Sequence, residues 1–160
     1  QTLDCGPLPR SPDPRCVVEP LKHVLSMIEA LNRADIPSAV AHFDPAILNH
    51  GQPVGLDGMQ RVFEAQRMAF PDWHHDVAQA IADGPTVVTR SFLSGTHQGR
   101  LGEPMASLLF HGALRGLEPT GRTMRIQAIH IWEVGDNGLI TAHWANRDDL
   151  GMRAQLTAAR

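Results

Sequence analysis

The spacing of apolar residues changes near residue 70 of the 160-residue chain. Upstream of this point, apolar residues recur every three or four positions, which is typical of amphipathic helices. We predict a first helix over about residues 18–33, and one stripe of its surface carries Leu21, Val24, Leu25, Ile28 and Leu31. The preceding residues, 1–16, contain several prolines and no apolar period, so we assign them to an irregular N-terminal arm.

Two further helices are predicted before residue 72. Asp35 can cap a short second helix, which buries Phe43 and ends at Pro45. A short extended piece follows over residues 46–50. The third helix starts near residue 57, presents Phe63 on its apolar face and ends at Pro71.

Downstream, apolar and polar residues alternate, which predicts β-strands. We predict strands over residues 73–82 and 85–97, and a hairpin in which the segments 119–134 and 139–151 flank a tight turn. Helical segments therefore come first and strands second. This order predicts an α+β domain over residues 17–160, with an antiparallel sheet that curls around the helices.

The predicted hairpin contains the most informative candidates. Because alternate residues of a strand share a face, His130 belongs to an otherwise apolar row with Ile126, Ala128, Trp132 and Val134. Such a histidine is either a hydrogen-bonded core residue or a working group in an apolar pocket. On the return strand, one face carries Ile140, Ala142, Trp144, Asn146 and Asp148. This face begins apolar and ends polar, which predicts the mouth of a pocket.

Composition argues against several classes of partner. The net charge is −3, the pI is about 6.3, and the 14 lysines and arginines form no run, so we expect no nucleic-acid partner. No apolar stretch approaches the roughly 20 residues of a membrane-spanning helix. The sequence shows neither a Cys-x-x-Cys motif nor a Cys/His cluster, and we expect no metal site.

The two cysteines, Cys5 and Cys16, bear on the cellular compartment. Free thiols fit a cytoplasmic protein, because cytosolic proteins rarely keep disulfides. A Cys5–Cys16 disulfide would instead contribute roughly 3 kcal/mol to stability and would indicate a periplasmic or secreted protein. We expect a cytoplasmic location, with the disulfide-bonded state as the alternative.

Six short strings occur in one order along the chain: AFPDWHHDV (69–77), GTHQGRLG (95–102), PTGR (119–122), IHIW (129–132), GLITAHW (138–144) and DDLGMRAQL (148–156). Together they resemble the SnoaL-like polyketide cyclase family of the NTF2-like superfamily over about residues 21–157. The resemblance implies a cone-shaped barrel with three N-terminal helices packed in a strongly curved antiparallel sheet. It also implies an apolar pocket and a homodimer formed through the sheet. Residues 103–117 exceed the usual spacing, and we predict a helical insertion there.

The resemblance also implies a chemistry. In the best-known cyclases of this family, a histidine and an aspartate close a ring by an intramolecular aldol reaction, without a metal or organic cofactor. His130 matches that histidine, whereas the aspartate falls on Ala145 when the longer turn is counted through. We therefore rank Asp148 first and His143 second as the missing acid/base partner.

The remaining candidates concern substrate contact. Asn146 and the indole N–H groups of Trp132 and Trp144 are candidate donors to an enolate oxygen, and the two tryptophans and Phe63 are predicted to line the pocket. His50 either reaches the pocket mouth or is solvated, and Arg90 either pairs inside the cone or points outward. His97 has a structural turn role or a ligand contact. His74 and His75 are adjacent, face opposite ways and are predicted to be structural.

The leading hypothesis is a cofactor-independent cyclase or isomerase acting on a hydrophobic, polyketide-like carbonyl compound, with His130 and Asp148 as acid and base. The first alternative is a non-catalytic binder of small hydrophobic ligands, because position 145 carries no acid. The second is an epoxide hydrolase of the limonene type. That chemistry needs an Asp-Arg-Asp set, for which Arg90 and Asp148 are the candidates.

Overall fold

The structure, a computed structural model, describes residues 14–101, 114 and 116–158, with side chains from residue 19 onward. It contains the helices α1 (Pro14–Asn32), α2 (Ile36–Val40), α3 (Gly55–Ala69) and α4 (Asp149–Thr157). The three predicted N-terminal helices are confirmed. Two boundaries differ, since α1 begins earlier than predicted and α2 is shorter. Helix α4 was not predicted at all.

Six strands form one sheet: β1 (Phe43–Asn49), β2 (Gln52–Pro53), β3 (His74–Asp83), β4 (Thr86–Thr96), β5 (Thr123–Val134) and β6 (Ile140–Arg147). Their spatial order is β2-β1-β6-β5-β4-β3. Neighbouring strands are antiparallel except for β1 and β6, which are parallel. Phe43, predicted on the second helix, is the first residue of β1. The predicted α+β class with a curved sheet around N-terminal helices is confirmed.

Buried apolar side chains form two clusters at opposite ends of the sheet. The first, which we call the helix-side cluster, joins α1, α2 and α3 to Phe43, Ile47, Trp132 and Ile140. The second, the far cluster, contains Phe70, Trp73, Leu93, Met124, Met152 and Leu156, among others. Helix α4 supplies the last two of these residues. The sheet therefore has one side packed by the N-terminal helices and a separate end closed by α4.

A bulge in the β5–β6 hairpin changes which side chains of β6 point inward. Val134 pairs with Ile140, but Glu133 pairs with Ala142, so Thr141 is an additional residue on β6. A one-residue shift moves all following side chains to the opposite face. The inward residues after Thr141 are therefore odd-numbered, not even-numbered as the simple alternation predicted. The inward face of β5 is as predicted, because all its even-numbered residues are buried.

Several predictions concern residues outside the described part of the chain. They are the irregular arm up to residue 13, Cys5, the side chain of Cys16 and almost all of the insertion at 103–117. Leu101 and Leu117, which flank most of that insertion, form an isolated antiparallel bridge. Within the described residues, no helix is both long enough and apolar enough to cross a membrane.

Candidate active site

A cavity of about 200 Å³ lies between α3, the end of α1 and the inner face of the sheet. One wall is apolar and includes Leu31, Met59, Val62, Phe63 and Trp73. The opposite wall is polar and includes His50, His75, His130, His143 and Arg147. A cavity with an apolar wall and a few convergent polar groups is typical of small-ligand sites.

Strand register brings the polar groups together. On the inner face, Trp132 pairs with His143, His130 with Ala145, and Ala128 with Arg147. On the other side of β6, the parallel strand β1 sets Asn49 beside His143. Four side chains from three strands, those of Asn49, His143, His130 and Trp132, therefore face the same small volume.

These side chains form a chain of hydrogen bonds. The Nδ1 atom of His143 is 2.9 Å from Oδ1 of Asn49. The Nε2 atom of His143 is 3.0 Å from Nδ1 of His130. The Nε2 atom of His130 is buried and has no hydrogen-bond partner among the described residues. The chain thus ends on a buried nitrogen of His130, a residue that lines the cavity.

Aromatic stacking holds the two imidazoles in place. Trp132 stacks on His143 with a centroid distance of 4.1 Å and on His130 at 5.3 Å. The Trp132 indole N–H donates to Thr89 Oγ1 at 3.2 Å. The prediction that this N–H points at a ligand is therefore wrong. On the other side of His130, the His75 ring lies 4.9 Å away and its Nε2 is 2.8 Å from Ser91 Oγ.

Burial favours the neutral form of three histidines of this site, His75, His130 and His143. Burial lowers the pKa of His75 to about 4, with a smaller contribution from His74. Burial, followed by the charge of nearby His50, lowers the pKa of His143 to about 3. Burial also lowers the pKa of His130 well below its usual value, and His75 and His143 lower it further. Each ring therefore carries one N–H and one nitrogen lone pair.

One ion pair borders the cavity. The Nε of Arg147 is 3.0 Å from Oδ1 of Asp149, and its Nη2 is 3.3 Å from Oδ2. The Arg147 side chain is 13 % exposed, and its charge lowers the pKa values of His130 and His143. Asp149 is the one carboxylate among the described residues that line the cavity. Arg147 thus places a positive charge close to the end of the histidine chain.

Six of the predicted site residues line the cavity: His130, His143, Trp132, His50, Phe63 and Asn146. His50 has a left-handed φ of 52°, at the turn after β1, and its ring lies 5.9 Å from that of His143. The prediction that His130 faces inward is confirmed.

The prediction that Asp148 faces the pocket is wrong. Asp148 is exposed, and its carboxylate accepts a hydrogen bond from the Gly151 N–H at 2.7 Å. It is the N-cap of α4, a role for which aspartate is among the preferred residues.

The bulge at Thr141 also changes where Trp144 and Asn146 lie. Trp144 pairs with outward-facing Ile131 and is 39 % exposed, so it does not line the cavity. Asn146 borders the cavity but pairs with Ile129, which is on the outer face, and is itself exposed. Trp144 is therefore not placed as the donor that the alternation predicted, whereas the donor role of Asn146 stays a prediction.

Arg90 and His97 also lie away from the cavity. Arg90 pairs with Ile129 on the outer face of the sheet, and its guanidinium lies 5.9 Å from the centre of the Phe92 ring. His97 is fully buried beside Phe70, and its Nδ1 accepts from the backbone N–H of Thr120 at 3.3 Å. His97 therefore joins the GTHQG and PTGR strings structurally.

The sequence interpretation missed five polar residues of the cavity: Asn49, Gln66, His75, Arg147 and Asp149. The sequence spacing of two of them, Asn49 and His75, indicates that their side chains face inward. Asn49 follows Ile47 at a strand spacing of two, and His75 follows Trp73 in the same way, so both share a face with a large apolar residue. Arg147 could be found only by knowing the position of the bulge. Among the described residues, no group of three or more His, Cys, Asp or Glu side chains is placed to hold a metal ion.

Comparison with known proteins agrees with this geometry. A family model described as SnoaL-like polyketide cyclase matches residues 22–156. No curated sequence matches significantly. Solved structures with the same fold include IdmH, a proposed polyketide cyclase from Streptomyces antibioticus, with 27 % identity, a TM-score of 0.67, and coverage of 86 % of this chain and 97 % of IdmH.

Two further structures are similar. AclR from Streptomyces galilaeus, a proposed hydroxylase, has 25 % identity and a TM-score of 0.70 over 89 % of this chain and 83 % of AclR. A SnoaL-like protein from Jannaschia has 16 % identity and a TM-score of 0.73 over 96 % of this chain and 100 % of that protein. The last similarity supports the fold alone.

Proposed function

The chain belongs to the SnoaL-like polyketide cyclase family, and on that premise we propose that it is a cofactor-free cyclase or isomerase of a small hydrophobic carbonyl compound. His130 is the general base. The observation that carries the proposal is the buried Nε2 atom of His130, which has no partner among the described residues and belongs to a ring in the cavity wall. Because burial lowers the pKa of His130, its ring is unprotonated at neutral pH and has a lone pair available for a proton.

The first step is proton abstraction. The lone pair on His130 Nε2 takes a proton from a carbon next to a carbonyl, and the C–H electrons form the enolate. The enolate carbon then attacks a second carbonyl, which closes a ring, or is reprotonated at another position, which gives an isomer. The imidazolium of His130 returns its proton to the product, so no net oxidant or reductant is needed.

Arg147 supports the charge that develops in this step. After burial and the two neighbouring histidines, the Arg147 cation also lowers the pKa of His130. An enolate that forms between an imidazolium and a guanidinium is stabilised by both charges. Asp149 holds the guanidinium in position through two hydrogen bonds.

The apolar wall determines the kind of substrate. Leu31, Met59, Val62 and Phe63 provide no hydrogen-bonding side chain, so they favour a hydrocarbon or aromatic surface. Trp132 adds a flat stacking surface next to His130. A substrate whose apolar part packs on this wall presents its carbonyl to the histidines, and this orientation supplies part of the rate enhancement.

The test uses 1-tetralone, a small aromatic ketone, and measures by NMR the exchange of hydrogen for deuterium at the carbon next to its carbonyl. We expect His130→Gln to lower the protein-catalysed exchange rate by about 100-fold or more. His74→Gln is the matched control, because His74 is an exposed histidine on β3. An exchange rate that is equal in wild type and His130→Gln would contradict the proposal.

A non-catalytic binder is the second candidate. Ala145, directly across from His130, supplies no acid, and Asp149 is engaged by Arg147. If 1-tetralone quenches tryptophan fluorescence but wild type produces no exchange, binding without catalysis is the better description. An epoxide hydrolase is no longer supported, because both Arg90 and Asp148 lie outside the cavity.

We also propose that two copies pair through the outer face of the sheet. Ile129, Ile131 and Trp144 lie together there and are 50 %, 39 % and 39 % exposed. Sedimentation should give a dimer for wild type and a monomer for Ile131→Asp. The control is Met68→Asp, since Met68 is 69 % exposed on α3 and is not part of the sheet. A monomeric wild type would rule out the pairing.

A further inference from the structure

We propose that Asn49 is a positioning residue that, acting through His143, makes Nε2 the basic nitrogen of His130. This inference rests on the proposed function, because it explains which nitrogen of His130 accepts the proton. Asn49 itself does not contact His130. Its effect passes through two hydrogen bonds that join β1, β6 and β5.

The argument begins at Asn49. This residue is 5 % exposed at the end of β1, and its register with His143 places its amide oxygen against the imidazole. An amide oxygen only accepts hydrogen bonds. The Nδ1 atom of His143, 2.9 Å from that oxygen, must therefore carry the hydrogen.

The same reasoning then fixes His130. A neutral imidazole has one N–H, so His143 with a hydrogen on Nδ1 has a lone pair on Nε2. The hydrogen bond of 3.0 Å between His143 Nε2 and His130 Nδ1 is then donated by His130. With its hydrogen on Nδ1, His130 has a lone pair on Nε2, the atom that the proposed reaction needs.

Because residue 49 is an amide and not a carboxylate, it affects the charge of the neighbouring His143. A carboxylate next to His143 would stabilise an imidazolium and raise its pKa. The charged or titratable groups that face the pair are His50, His75 and Arg147 with its partner Asp149, and all but Asp149 oppose added positive charge. Asn49 orients the chain without adding a negative charge, so the resting site stays neutral.

The direct experiment is NMR of the ¹⁵N-labelled full chain, which distinguishes the two tautomers of each histidine from the ring nitrogen shifts. We expect His130 and His143 in wild type to carry hydrogen on Nδ1. In Asn49→Leu, which removes the acceptor, we expect both to become mixtures of tautomers. His97 serves as an internal reference, because its Nδ1 accepts from the Thr120 N–H and its hydrogen should be on Nε2.

A wild-type His130 with hydrogen on Nε2 would overturn the inference, as would unchanged tautomers in Asn49→Leu. If Asn49→Leu does not fold, the wild-type spectrum alone decides. This measurement needs no turnover. A protein without exchange activity but with the expected tautomers would contradict the proposed function and leave the role of Asn49 intact.

A second readout is the pH profile of deuterium exchange. Asn49→Asp adds a carboxylate next to His143, so the acid limb of the profile should move upward by about one pH unit or more. Gln127→Glu is the matched control, because Gln127 is exposed on the outer face of the same strand as His130. Equal profiles for wild type and Asn49→Asp would count against the positioning role.

Discussion

His97 and His130 are both buried, and in each the Nε2 atom has no well-aligned hydrogen-bond partner among the described residues. They lie in different regions. His130 faces the cavity beside the helix-side cluster, whereas His97 packs on Phe70 in the region of the far cluster. Each residue continues a row of buried side chains that alternates with more exposed ones, on β4 before His97 and on β5 before His130. Their neighbours nevertheless give them opposite hydrogen-bonding roles.

At His97, the neighbour is a donor. The backbone N–H of Thr120 donates to Nδ1, so the hydrogen of the ring is on Nε2. The surrounding turn is fixed by other contacts of the same kind, because Asp72 accepts from both the N–H and the hydroxyl of Thr96. Gly99 is also required there, since a Cβ would collide with the backbone carbonyl of Met68 at the end of α3.

At His130, the neighbour is an acceptor. His143 receives the Nδ1 hydrogen, so Nε2 has the lone pair. The difference teaches that burial of a histidine in an apolar row does not identify a catalytic base. His130 differs from His97 in two ways. Its ring lines the cavity, and its hydrogen-bond chain ends at the Asn49 amide oxygen, which only accepts.

The largest expected effect that separates the two regions is acid sensitivity. The folded state holds the His75 pKa at about 4 instead of the usual 6.5, which corresponds to about 3 kcal/mol. Between these pH values the unfolded chain binds a proton that the folded chain does not, so stability falls as pH falls. The lowered pKa values of His130 and His143 act in the same direction.

Urea unfolding at pH 7.5 and pH 4.5 measures this effect. We expect wild type to lose several kcal/mol of stability on acidification and His75→Gln to lose about 2.5 kcal/mol less than wild type, because pH 4.5 is still above the folded-state pKa. His74→Gln, at an exposed position, should lose as much as wild type. If His97→Gln reduced the loss as much as His75→Gln, acid sensitivity would no longer distinguish the cavity from the far region.

The structure could be predicted from the sequence where it depends on a local period of apolar residues, and could not be predicted where it depends on strand register. Helix stripes and the inner face of β5 could be predicted because each depends on a local period, as the buried row from Met124 to Val134 shows. The resemblance to the family gave the overall fold. The inner face of β6 could not be predicted from alternation, because Thr141 shifts the register and a shift of one residue is invisible in composition.

Long-range contacts account for most of the missed site residues. Asn49 is 94 residues from His143 in sequence, and their contact depends on the parallel pairing of β1 and β6. His75 joins the site because β3 pairs with β4, which brings its Nε2 to 2.8 Å from Ser91 Oγ. Asp148 and Asp149 are adjacent acids with similar sequence context, but α4 begins between them. The first caps this helix and the second pairs with Arg147.

The smallest expected effect tests the assignment of Asp148 to the far region. Its carboxylate accepts from the Gly151 N–H at the start of α4, whose Met152 and Leu156 belong to the far cluster. Asp148→Ala should therefore lower the free energy of unfolding by about 1 kcal/mol, as loss of an N-cap does. Asp148→Asn keeps an acceptor and should recover most of this stability.

Both variants should retain the wild-type deuterium-exchange rate per folded molecule. A 100-fold slower exchange in Asp148→Ala, with stability unchanged, would return Asp148 to the catalytic site and remove the distinction drawn here between the two regions.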